Sequence, residues 1–416
     1  MLHRQKSIVA AAALLLSAGA AQAGSYFNLT ATGSSGTTVT VPGSNLLNLT
    51  NNLIKTQDGF YPLVGQSYTA SLTYGGVPRA VQFASNATGT RVTVTVPSTG
   101  FSKTFTGPNA GSVESQIRKF LEHNGADQLA RLEGSIDRLS YISLDDGNPQ
   151  AATAFFATEA FDRFGLQQTF AMDQASAGNF SEFGLDVSGG SFTTPDGNGA
   201  YATLDPTFGW RFSNNVGLEI SVPFEFLDQE NAYSYILGME VGMPITIINA
   251  PTSQPGPNQS PQPAQGLSWQ ITPWGIGGTA GSEDQVAGGV MAGGGGTDSL
   301  NYQIDDFTFT AANEIAYEQG IPVNAYSYHF NTDVAQLIMK NGGKVTYCPG
   351  GGSFFVDAGV AYTDLFHRAA VPDYWSPMAG LGWKFNADSG IRVGYSGDFA
   401  HNYHNNGGQV MLYLAF

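Results

Sequence analysis

From Ala202 to Phe226 the chain alternates with a period of two. Ala202, Leu204, Pro206, Phe208, Trp210 and Phe212 fall on one side. Thr203, Asp205, Thr207, Gly209 and Arg211 fall on the other. After a Ser213–Asn214–Asn215 turn, Val216, Leu218, Ile220, Val222, Phe224 and Phe226 alternate with Gly217, Glu219, Ser221, Pro223 and Glu225. This pattern specifies two strands of about ten residues or more, the length that crosses a bilayer when tilted; soluble strands average about five or six.

The alternation recurs to the end of the chain. It runs through Tyr233–Ile247, Phe307–Glu318, Phe354–Thr363, Trp375–Phe385 and Ile391–Asp398. One row is apolar and rich in Trp, Tyr and Phe. The other carries Asp, Glu, Arg and Lys, so it is no ordinary soluble core. An apolar outer band around a polar interior is the pattern of a membrane-spanning barrel. Closure pairs every backbone group, as lipid requires.

The rest of the sequence agrees. Met1–Lys6 is basic, Ile8–Leu16 is a short apolar run and Ala21–Gln22–Ala23 is a small-residue cleavage signature. Residues 1–23 therefore read as a cleaved signal peptide. The chain holds 17 basic and 33 acidic residues, and Arg4 and Lys6 leave with the leader, so the mature chain carries 15 − 33 = −18. That charge excludes a nucleic-acid partner. Cys348 is the only cysteine, so no internal disulfide forms. No apolar run of the mature chain is long enough for a spanning helix.

The fold expected is an all-β transmembrane antiparallel barrel over residues 178–416, with about ten to twelve strands and twelve preferred. A small α+β domain over 24–145 and a helical linker over 146–177 precede it. Within the domain, Ser44–Gln57 has a helical pattern. Gln66–Tyr74, Pro78–Phe83, Thr90–Val96 and Ser102–Thr106 suggest a β-meander. Val113–His123, Gln128–Ser140 and Pro149–Phe164 read as helices, with Asp127 capping the second and Pro149 in the first turn of the third. The run Pro251–Gly266 reads as an irregular loop on the side of the chain end. Gly-rich 275–296 reads as two strands packing an element in the lumen.

The last strand places Gln409 first, then alternates through Leu412 and Leu414 to the terminal Phe416. It resembles the carboxy-terminal β-signal of Gram-negative outer-membrane proteins. The resemblance implies export to the outer membrane, contact with its lipid and recognition by the barrel-assembly machinery.

The alternation marks Asp205, Arg211, Glu219, Glu225, Glu240, Glu314, Glu318, Asp357, Lys384, Arg392 and Asp398 as lining the lumen. Acids outnumber bases there, so an open lumen would favour cations. No catalytic constellation, metal motif or cofactor site is legible. His401–Asn402–Tyr403–His404 reads as a solvated loop and Cys348 as a bystander thiol. The function expected is a channel or transporter for small solutes with the amino-terminal domain in the periplasm or as a plug. The alternatives are an autotransporter-like protein, with an amino-terminal passenger and the 149–164 helix threading the lumen, and a structural or surface-interaction barrel. Assembly as a homo-oligomer is compatible with all three.

Overall fold

The structure is a computed structural model. It describes residues 27–43, 49, 52, 63, 65–123, 126–137, 139–166, 181–213, 215–229, 232–250, 265–282, 287–325, 328–330, 334–367, 369–386 and 389–415. The expected signal peptide, nearly all of Ser44–Gln57, most of the expected Pro251–Gly266 loop and Phe416 lie outside the described residues.

The amino-terminal part is a six-stranded antiparallel sheet in the order β2-β1-β3-β4-β5-β6. Its strands are β1 (Phe27–Gly33), β2 (Thr38–Gly43), β3 (Tyr68–Tyr74), β4 (Val77–Ser85), β5 (Arg91–Val96) and β6 (Phe101–Thr106). The last four are the expected meander. The β1–β2 hairpin adds to it, and its short Thr-rich strands hid it. One face buries Phe27, Val41, Tyr74, Val81 and Val96 against Leu132 and Ile136. The other carries threonines that hydrogen-bond across strands, as Thr30 does to Thr40 at 3.3 Å and Thr93 to Thr104 at 2.9 Å.

The helices α1 (Ala110–His123), α2 (Ala126–Asp137) and α3 (Ala152–Phe161) follow. Asp127 lies inside α2 rather than capping it. Pro149 lies before α3, whose cap position is Ala151. The backbone N–H of Gln150 donates to Asn148 Oδ1 at 2.7 Å, so Pro149 belongs to a turn that delays the helix.

The remaining strands are β7 (Ser181–Thr194), β8 (Gly197–Ser213), β9 (Val216–Ser221), β10 (Phe224–Gln229), β11 (Ala232–Gly242), β12 (Ile245–Ala250), β13 (Gln265–Ser282), β14 (Ala287–Ile304), β15 (Phe307–Gly320), β16 (Val323–Ala325), β17 (Tyr328–Phe330), β18 (Ala335–Tyr347), β19 (Phe354–Phe366), β20 (Asp373–Asn386), β21 (Ser389–Ser396), β22 (Phe399–Ala400) and β23 (Tyr403–Ala415). All but the β16–β17 hairpin form one sheet of fifteen strand segments that closes on itself. The number exceeds the one expected because some strands are broken in mid-course. β9 and β10 flank Val222–Pro223, where a proline cannot donate to the ladder. β11 and β12 likewise flank Met243–Pro244. Closure comes from β23 against β7, from His404 opposite Thr193 to Ala415 opposite Glu182.

This register defines two rims. The chain end, the start of β7 and the β12–β13 connection share one, here the C-terminal rim. The β7–β8, β13–β14 and β19–β20 connections mark the opposite one, the far rim.

The outer face is apolar. β11 and β15 alternate strictly between buried and exposed along their central residues. Phe212, Met239, Leu381 and Trp383 are each more than half exposed on the outer row. Aromatic pairs stand near both rims: Phe183–Phe208 and Phe307–Tyr347 at one, Phe226–Tyr233 and Tyr362–Trp375 at the other. A closed sheet with an apolar belt and aromatic ends is a membrane β-barrel.

The amino-terminal domain sits on the far rim. The Tyr141 backbone N–H donates to Asp196 Oδ2 in the β7–β8 turn at 3.3 Å. The Gly288 backbone N–H at the start of β14 donates to Glu133 Oε1 of α2 at 2.5 Å. In the β19–β20 loop, Val371 N–H donates to the Gly147 carbonyl at 2.8 Å.

Candidate functional site in the barrel lumen

The sequence of α3, ATAFFATEAF, has no continuous polar face, and such a helix must be buried on all sides. The barrel buries it. Eight of its ten residues are buried, from Ala152 to Phe161. It enters from the far rim and passes into a π-helical turn, Asp162–Leu166.

Glycines of the wall make its seat. A Cβ on Gly238 would stand 2.5 Å from the Phe156 ring, and one on Gly278 only 2.4 Å from it. Gly242 receives Phe164 in the same way. The exchange is mutual, since Gly165 lies against Ala312 and its carbonyl accepts the Ser299 hydroxyl at 2.9 Å. The Gly-rich strands β13 and β14 thus do pack a lumen element.

Charge fixes the helix further. Arg163 donates to Glu240 Oε2 at 2.8 Å and to Asp205. These groups are nearly shielded from solvent, so each ion depends on its partner. Lys340 donates to Thr158 Oγ1 at 3.1 Å and stands over the Phe161 ring.

The other residues marked by the alternation are distributed around this plug. Asp357 accepts from Arg392 at 2.7 and 2.8 Å. Asp398 accepts from Ser376 at 2.6 Å and from Asn405 at 2.7 Å. Glu314 accepts from Thr297 at 2.7 Å. Glu225 and Glu318 are buried, and both oxygens of Glu318 lack a hydrogen-bond partner among the described residues. Glu219 and Arg211 line a crevice with Glu182 near the C-terminal rim. Lys384 is half-buried on the inner row of β20. They do not converge on one point.

A cavity of about 90 Å³ remains beside the helix, lined by Glu159, Asp162, Arg163, Asp186, Asp205 and Glu219 among others. Several of these charges escaped the sequence reading. Lys340 and Lys344 lie on β18, whose outer row is interrupted by Asn341 and Gly343, so its alternation was masked. Glu182 and Asp186 alternate with Phe183, Leu185 and Val187, a signal that was present. The pairing of Arg163 had no local signal, because its partners stand 42 and 77 residues away.

In the terminal strand, Gln409 faces inward, accepting from Arg392 at 2.9 Å and donating to Asp186. Leu412 and Leu414 lie on the opposite row. His401 and Asn402 form a turn and Tyr403 is buried. Among the described residues no group of three or more His, Cys, Asp or Glu could hold a metal.

No family model matches the sequence, and no curated protein matches it. Among solved structures, the chain is similar to the translocator domain of the autotransporter NalP from Neisseria meningitidis. The identity is 13% and the TM-score 0.40, covering 64% of this chain and 97% of that one. An outer membrane channel from Pseudomonas putida F1 matches at 8% identity and a TM-score of 0.41, covering 58% and 97%. The transport unit of the autotransporter AIDA-I from Escherichia coli matches at 11% and 0.37, covering 62% and 96%. These neighbours are outer-membrane β-barrels. The closed sheet and apolar belt of this chain are those of a membrane β-barrel.

Proposed function

We propose that this is an autotransporter-like protein of the outer membrane, whose amino-terminal domain is displayed on the cell surface and tethered through its own barrel. The observation that carries this reading is the path of the chain. The domain sits on the far rim, α3 descends from that rim into the lumen, and β7 begins beside the chain end at the C-terminal rim. In outer-membrane barrels that follow the β-signal, the terminal strand ends at the periplasmic interface. The far rim is then external, and so is the domain. A chain that starts in the periplasm reaches that position by passing through the pore. The helix left in the lumen also fills the space a freely permeable solute channel would need.

Thiol labelling on intact cells tests this. Ser35 is exposed in the β1–β2 turn, whereas Cys348 follows β18 at the C-terminal rim. A Ser35→Cys variant should react with a membrane-impermeant maleimide on intact cells, and Cys348 only after permeabilisation. The reverse pattern would place the domain in the periplasm and overturn the reading.

A further inference from the structure

At mid-depth on β14, β15 and β18, polar side chains interrupt the apolar outer face. Asp298 on β14, Asn313 on β15 and Asn341 on β18 occupy consecutive cross-strand positions, Asp298 opposite Asn313 and Asn313 opposite Asn341. All three stand on the outer row. On β15 the exposed row reads Phe307, Phe309, Ala311, Asn313, Ile315, Tyr317, with the asparagine at the middle of the strand. Asn341 is likewise central in β18. The Asn313 amide donates to both Asp298 oxygens, at 3.2 and 3.4 Å. The Asn341 amide makes no hydrogen bond among the described residues. A carboxylate and an unsatisfied amide at mid-depth are unfavourable against lipid tails.

The surface beside them is flat. Gly277 and Gly296 stand on the outer rows of β13 and β14. A Cβ at either would meet nothing within 4 Å, and neither has a left-handed backbone. The fold of one copy does not require glycine at these two positions. Bare backbone next to polar side chains is what association inside a bilayer uses. Helices in membranes adhere by close approach at small residues and by hydrogen bonds between polar ones, since lipid offers no hydrophobic drive.

We propose that the β13–β18 face is a dimer interface with a second copy of this chain, centred on Asn313. The patch is complementary to itself. Carboxamides donate and accept, and Asp298 accepts, so a copy turned about a two-fold axis along the membrane normal brings donors to acceptors. The same rotation lays glycine-floored surface on glycine-floored surface.

Light scattering of the full-length protein in nanodiscs or mild detergent should give twice the protomer mass. The triple variant Asp298→Leu, Asn313→Leu, Asn341→Leu should give a single protomer mass while keeping its heat-modifiable gel mobility. As a second measurement that does not depend on the triple variant folding, Asn313→Cys in a Cys348→Ser background should form an intermolecular disulfide in native membranes on oxidation. Leu381→Cys, on β20 away from the patch, should not. A monomeric wild type in membranes, or equal cross-linking at both positions, would overturn the proposal. So would an Asn313→Cys adduct whose mass shows a different protein.

Discussion

Glu133 holds the domain to the barrel through one backbone hydrogen bond. It is buried, and its carboxyl is pushed from its ordinary value near 4.5 up to about 9, by burial first and by the Asp145 charge second. Asp145 itself is pushed up to about 7, by burial and then by Asp146. Neither oxygen of Asp145 has a hydrogen-bond partner among the described residues. The sign follows from proton binding. The docked state keeps a proton that the undocked state releases. Docking is therefore fully favoured below about pH 4.5 and weakens as pH rises toward about 9. Glu133 alone contributes a slope of at most about 1.4 kcal/mol per pH unit. Protection factors of the α2 amides, with the intrinsic pH dependence of exchange divided out, should fall between pH 5 and pH 9 in the wild type. In Glu133→Gln, which keeps an acceptor for the Gly288 N–H, most of that dependence should vanish. An equal pH response in both would show that another group governs docking. Nothing near Glu133 in the sequence announced this contact, since Gly288 is 155 residues distant. The inward places of Asp205, Glu240, Asp357 and Arg392, by contrast, were legible from strand parity alone.

At the scale of elements, the strands were readable and the partners of the helix were not. Period two is written locally, residue by residue, and a slip of one position would turn every apolar side chain inward. Where the outer row is broken, as at Asn341 and Gly343 in β18, the strand went unread. The third helix was legible as a helix over 149–164, but its seat is made of absences. Gly238 and Gly242 read only as inner-row glycines until Phe156 and Phe164 are placed over them, whereas Gly278 belongs to the Gly-rich run expected to pack a lumen element. This seat makes a specific prediction. Gly238→Ala pushes a methyl into the Phe156 ring and should destabilise helix docking by about 1–3 kcal/mol. Phe156→Leu alone should also destabilise. Combined, the two should cost less than their sum, because the smaller side chain frees the space the methyl takes. Thermal loss of heat-modifiable mobility across the four proteins measures the cycle. Strict additivity would mean that Phe156 does not occupy the Gly238 site.

For the whole molecule, the lumen's charge and its plug belong together. The inner rows carry more carboxylates than cations, and burying like charges without compensation is unfavourable. The helix contributes Arg163 to two of the carboxylates and fills volume with Phe155, Phe156, Phe161 and Phe164. It also brings in Glu159 and Asp162, so it neutralises Asp205 and Glu240 locally and leaves the interior acidic overall. Two consequences follow for conduction. The seated helix occupies the lumen, so the intact protein should be nearly silent in planar bilayers. Without residues 24–166 the wall of the barrel is unchanged, because every strand pairing that closes it lies within 181–415. Such a truncated chain should conduct, and its acidic inner surface should attract cations. The preference should be strongest at low salt, where a Debye length of about 30 Å at 0.01 M spans the pore, and should fade near 1 M. Reversal potentials in asymmetric KCl give the sign directly. Large steady currents from the intact protein would show that the helix does not seal the barrel. Anion preference in the truncated form would show that the carboxylates on the inner rows are held neutral or compensated by the wall.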